Sequence, residues 1–254
     1  MKNTYEYNLT VPSLFSRFIV GFASGFVGMI VLAILFFSTW NIVGSTLSPI
    51  SPDTEQQLGI QASETQTHPL FLEIILLAIF LSTMAANITY TFLSTIVYEE
   101  FTRKSTALTQ VFFGNLVFLI LLLPVYFSMN SHFGIQGIVI SAVMHVVITS
   151  LFTFFVLQAL HQSKYLVVNL YGNLFGLLLF AFLVTFFYDM DKIAAIFLAF
   201  PCFFGIMALG NRIVELLYAW FYRSYGVDFL NVDTRFGDDY GVKDGESLKD
   251  EFDI

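Results

Sequence analysis

Long apolar runs separated by short polar breaks set the pattern of this chain. The runs 18–40, 74–98 and 105–129 contain no charged residue, 133–160 holds only His145 as a titratable group, 165–188 is uncharged, and 193–211 is uncharged up to Arg212. Each run is long enough to cross a hydrocarbon core of about 30 Å as a helix, which takes roughly 20 residues, and none is long enough to cross twice. Lipid offers no partner to backbone amides, and the runs lack the apolar and polar alternation of membrane strands, so helices are predicted. The fold class read from the pattern is therefore all-α: a polytopic transmembrane bundle of about six spans. It divides the chain into an amino-terminal segment 1–17, a six-span domain 18–224 and a tail 225–254.

Composition points the same way. Hydrophobic residues make up 57% of the 254 positions, charged residues 12%, and the tail holds a large part of the net charge of −8. Soluble domains average about 25% charged residues, so this chain has too little polar surface to cover a core in water. Lys2 and Arg17 precede the first run in the manner of a signal peptide, but the run exceeds a usual signal core and no A-x-A-like site follows, so it reads as a retained anchor.

Orientation follows from the basic residues, which resist crossing. One bank collects Lys2, Arg17, Arg103, Lys104, Lys164, Arg212 and Arg223, while Lys192 stands alone on the other. Both termini are accordingly expected in the cytoplasm, and the compact loops favour a bacterial plasma membrane. The loop 41–68, with Pro49, Pro52, many Ser, Thr and Gln residues and three acids, is expected to be irregular and water-exposed. The short turns near 130–132 and 189–192 predict antiparallel hairpins of spans three with four and five with six. Lys192 and Arg212 are expected at opposite interfaces of the sixth span, Pro201 to bend it, and 213–222 to continue as an interfacial helix. Arg212 and Glu215, three residues apart, predict a surface ion pair worth a few tenths of a kcal/mol. The tail carries nine acids against three bases and is expected to stay disordered and solvated, with a basic cytosolic protein as its natural partner.

Small residues mark two helix faces. Gly21, Ser24, Gly25 and Gly28 fall at i, i+3, i+4 and i+7, and Asn169, Gly172, Asn173 and Gly176 repeat that spacing. In lipid, helices associate through close backbone approach and interhelical hydrogen bonds, so Gly21, Gly25, Gly28, Gly172 and Gly176 are predicted packing positions. Polar groups at membrane depth also mark solute paths, which makes Asn169, Asn173, His145 and Asn115 the candidate path residues. His145 shares its face with Gly137, Ser141 and Thr149.

Several chemistries are excluded. Cys202 is the only cysteine, so neither an internal disulfide nor a cysteine metal cluster exists. No H-E-x-x-H, P-loop or dinucleotide fingerprint occurs, no further acids or histidines stand at metal-ligand spacing in the spans, and no basic patch suits nucleic acid. Glu99, Glu100 and Arg103 resemble the motif of prenyl-protein metalloproteases, yet two residues intervene where that pattern has three, and His145 and His161 do not supply its later histidines. Gly21 to Gly25 reads G-F-A-S-G, with Phe22 where a rhomboid-type serine site has glycine. The loop through Ser105, Thr106 and Leu108 resembles the coupling segment of six-span export permeases of the ABC-2 class over about a dozen residues, which is an analogy of topology. The expected function is thus a transport or export permease, or a scaffold subunit among other membrane subunits, without cofactor. The alternative is an intramembrane hydrolase-like enzyme using His145 and polar neighbours.

Overall fold

A segment withdrawn from water must pair its own amides, and the α-helix does so within one stretch of chain. The computed structural model describes residues 11–43, 71–97, 104–160, 166–187 and 192–224. The loop 44–70, the basic residues Lys2, Arg103 and Lys164, the Glu99 and Glu100 pair and the acidic tail lie outside them. Six α-helices result: α1 Val11–Val43, α2 Phe71–Val97, α3 Lys104–Phe133, α4 Ile135–Leu160, α5 Leu166–Val184 and α6 Lys192–Ser224. A 3-10 turn, Thr185–Phe187, prolongs α5.

Five of the helices, all but α5, are long and apolar enough to cross a membrane. In α5 the apolar stretch narrows to Leu170–Val184. Its 19 residues still reach about 28 Å at 1.5 Å per residue. Large apolar side chains such as Phe37, Leu121, Leu178 and Phe182 cover the outside of the bundle. A surface of that kind is matched to hydrocarbon and mismatched to water, and the chain is a membrane-embedded helical protein.

The helices pack as two groups. Helices α2, α3 and α4 all touch one another, α6 lies between α1 and α5, and the groups are joined by the α1 to α2 contact and by a smaller one between α4 and α5. The α1 to α6 interface, between the two ends of the bundle in sequence, is the most extensive. The expected hairpins α3 with α4 and α5 with α6 are both present.

The expected span 193–211 runs on through 213–222 as one unbroken 33-residue helix, about 50 Å long, in which Leu216 is buried while Leu217, Trp220 and Phe221 are exposed. One boundary differs from the sequence expectation. The turn expected at 130–132 is helical, and the reversal falls on Gly134 alone, at φ 55°. Gly134 N–H donates to the Asn130 carbonyl (2.8 Å), closing α3 with a left-handed cap.

A Cβ at Gly134 would meet nothing within 4 Å, so its substitution reports backbone conformation alone. Gly134→Ala is expected to cost about 1 kcal/mol, and Gly134→Asn less, since asparagine tolerates this region better. Thermal unfolding in mild detergent measures it. An alanine variant as stable as the parent would contradict the assigned cap.

Candidate functional site: a polar lane between three helices

Helix α2 carries Thr83, Asn87, Thr91 and Thr95 four residues apart, and α4 carries Ser141, His145, Thr149 and Thr153 at the same interval. A four-residue spacing forms one ridge of a helix. Both ridges are buried inside the α2–α3–α4 group, with Asn87 and His145 no more than 2% exposed. Buried hydroxyls and amides in a membrane bundle must find partners within the protein.

Most of the hydroxyls find them one turn back. Ser82 bonds the Ala78 carbonyl (2.6 Å), Thr83 that of Ile79 (2.7 Å), Thr91 that of Asn87 (2.8 Å), Thr149 that of His145 (2.7 Å) and Thr153 that of Thr149 (2.9 Å). A carbonyl only accepts, so in each case the hydroxyl proton is committed to the backbone.

Three helices meet through amides at mid-depth. Asn87 Nδ2 donates to Asn115 Oδ1 (2.8 Å), and Asn115 Nδ2 donates to the Val111 carbonyl (2.8 Å) and to Thr153 Oγ1 (3.3 Å). Interhelical bonds of this kind contribute about 0.6 kcal/mol each on average in membrane proteins, so the layer orients the helices more than it stabilises them. Asn87 Oδ1, Ser94 Oγ and Ser150 Oγ are buried without a hydrogen-bond partner.

Seven residues along α2 from Asn87, about 10 Å, lies an aromatic layer. The His145 ring stacks on Phe80 with centroids 4.0 Å apart at 32°, and its Nδ1 lies 3.1 Å from the Tyr126 hydroxyl of α3. Phe80 and Tyr126 are themselves in contact, with centroids 5.0 Å apart. Toward the amino-terminal end of α2, Asn130 Nδ2 donates to Glu73 Oε1 (2.9 Å), and Glu73 Oε2 is buried without a partner. The polar positions thus run from Glu73 to Thr95, 22 residues apart and about 33 Å of helix, the thickness of a bilayer core.

The candidate path residues divide between two places. Asn115 and His145 belong to the lane. Asn173 belongs to the α5–α6 seam, where it accepts a bond from Asn211 Nδ2 (2.8 Å), which also bonds the Met207 carbonyl (3.0 Å). Asn169 lies on α5, and its side chain is outside the described part. Gly172 and Gly176 admit α6 against that seam: a Cβ at Gly172 would stand 2.6 Å from Asn211 Oδ1, and one at Gly176 3.1 Å from Met207 Cα. On α1, a Cβ at Gly21 would overlap the Phe204 carbonyl and one at Gly25 the Phe200 carbonyl, while one at Gly28 would stand 2.8 Å from Ala86 Cβ of α2.

Arg212 does not sit at an exposed interface. It is 7% exposed and donates from Nη1 to Glu215 Oε2 at 2.9 Å, so the pair lies within the packed bundle. The sequence reading missed Asn87, the threonine ridges, Tyr126 and the Glu73 to Asn130 bond. The four-residue recurrence of Thr83, Asn87, Thr91 and Thr95 was the available signal, masked by an apolar background in which threonine is common. Among the described residues no group of three or more His, Cys, Asp or Glu side chains stands where it could hold a metal ion. Comparison with protein-family models, with curated proteins and with solved structures found no match for this chain.

Proposed function

We propose that the protein is a permease subunit in which α2, α3 and α4 line a path for a small polar solute and α1, α5 and α6 form a rigid frame. The observation that carries this reading is the set of polar side chains enclosed between three helices, from the Glu73 to Asn130 bond through Tyr126 and His145 to Asn87, Asn115 and Thr95, spread over a length equal to the thickness of a bilayer core. A bundle that needed only to be held together would gain little from so many buried hydroxyls and amides, since packing and close glycine contacts already associate its helices. Polar groups retained at membrane depth mark solute and ion pathways. The frame fits the division of labour, because the seams of α6 with α1 and α5 bring backbones together through glycine. The charge asymmetry supports a bacterial plasma membrane with both termini cytoplasmic.

The enzymatic alternative needs a reacting group beside His145. The group bonded to its Nδ1 is the Tyr126 hydroxyl, and the ring face is covered by Phe80, an arrangement that holds the imidazole rather than exposing it.

Cysteine accessibility tests the path. In a Cys202→Ser background, Asn115→Cys and Thr149→Cys are expected to react with a water-soluble thiol reagent in membranes, because the thiolate that reacts forms only where water enters. Val117→Cys, on the exposed face of α3, is expected to stay unlabelled in lipid. Labelling of exposed His132→Cys with no labelling at positions 115 and 149 would reduce the protein to a packed scaffold.

A further inference from the structure

We propose that the lane binds a small monovalent cation, an alkali or ammonium ion, at the layer of Asn87, Asn115, Thr149 and Thr153. This rests on the permease reading and names its substrate class. The reasoning is an account of protons. Thr83, Thr91, Thr149 and Thr153 give their hydroxyl protons to carbonyls of their own helices, so what each can still offer a ligand is oxygen lone pairs. Both hydrogens of Asn115 Nδ2 are spent on Val111 and Thr153. Asn87 Oδ1 is fully buried and unpartnered, on the same amide whose Nδ2 reaches Asn115, so it lies inside the three-helix interior.

Free oxygens outnumber free hydrogens at this layer: the oxygens of Asn87, Asn115, Thr149 and Thr153 keep unused lone pairs, while of the hydrogens on these four side chains only the second one of Asn87 Nδ2 is unbonded. An anion would face mostly lone pairs, with one amide hydrogen to replace its hydration. A monovalent cation exchanges water oxygens for amide and hydroxyl oxygens, as carbonyl rings permit in ion filters. A divalent cation sheds water far more reluctantly and is held by carboxylates, which this layer lacks. The neighbouring layer is filled by the rings of Phe80, Tyr126 and His145 in contact with one another. At one end, the partnerless Oε2 of Glu73 presents a further acceptor on a carboxyl group.

Two measurements on the full chain separate the site from the transport. Thermal unfolding in detergent is compared in sodium, potassium, ammonium and choline chlorides at equal ionic strength. Proteoliposomes are assayed for entry of thallium(I) and of methylammonium, and separately of chloride and of glycerol. At least one small cation is expected to raise the melting temperature above that in choline, and at least one cation probe to enter. Asn87→Leu is expected to abolish the stabilisation and cut cation entry by about tenfold, the loss expected when a buried oxygen ligand is deleted. Asn87→Asp, which keeps the oxygen, is expected to retain both. If Asn87→Leu fails to fold in choline, Thr149→Val provides the same readout at constant shape. Entry of chloride or glycerol without any cation effect would overturn the cation assignment and leave the permease reading standing. Cation stabilisation without any flux would keep the site and overturn the permease reading. Neither stabilisation nor flux would overturn both.

Discussion

Gly25→Leu is expected to abolish the folded bundle, while Phe26→Leu, one residue away on the lipid-exposed face, leaves it intact. A Cβ at position 25 would overlap the Phe200 carbonyl and stand 2.6 Å from Pro201 Cα, and both obstacles are backbone. A side chain in the way can change rotamer, whereas a helix in the way must move as a whole. Overpacking of a well-packed core costs about 1 to 3 kcal/mol, and two backbones forced apart along the largest interface place this variant at or above the upper end. Detergent-solubilised yield, size-exclusion profile and melting temperature are the measurements. A Gly25→Leu protein that melts with the parent would show that α1 and α6 are not in contact as described.

The second large effect is expected at Glu215. A surface pair three residues apart contributes only a few tenths of a kcal/mol. This pair is enclosed in the bundle, with the two side chains 8% and 12% exposed, so its deletion follows the rule for buried charges. Removing one partner of a buried pair typically costs about 3 to 5 kcal/mol, because the other charge is left without compensation. Arg212 makes a further contact besides Glu215, which places Glu215→Leu near the lower figure. The double variant Arg212→Met with Glu215→Leu is expected to recover most of the loss, since an apolar pair of similar volume needs no compensation. Equal melting temperatures for the single and double variants would show that burial of the charge is not the cause.

These two expectations differ in how early they could be made. The glycine spacing on α1 is visible in the sequence, and its meaning as a seam follows from lipid chemistry alone. The ion pair is visible too, but its weight depends on burial, and burial depends on which neighbours surround α6. From the sequence, Arg212 looked like the inner boundary of a span, because arginine ordinarily refuses hydrocarbon. In the structure α6 continues past it to Ser224, and packing rather than water surrounds the guanidinium. The candidate path divides in the same manner. Asn115, Asn169, Asn173 and His145 were singled out by type and depth, yet Asn115 and His145 share a three-helix interior while Asn173 is engaged with Asn211 across another seam.

What the sequence by itself determined is the list of helices, their approximate ends and their lipid environment. Those properties are local: uncharged runs of sufficient length have one low-energy form in hydrocarbon, and glycine and proline act on their own turns. The tertiary structure alone decided which polar residues meet. A bond from Asn87 to Asn115, or from His145 to Tyr126, requires a particular rotation and height of one helix against another. Those are set by the sum of many side-chain contacts across the whole bundle, including the closure of α1 on α6 from opposite ends of the fold. No window of sequence contains that sum, which is why the helices were legible before the lane they enclose.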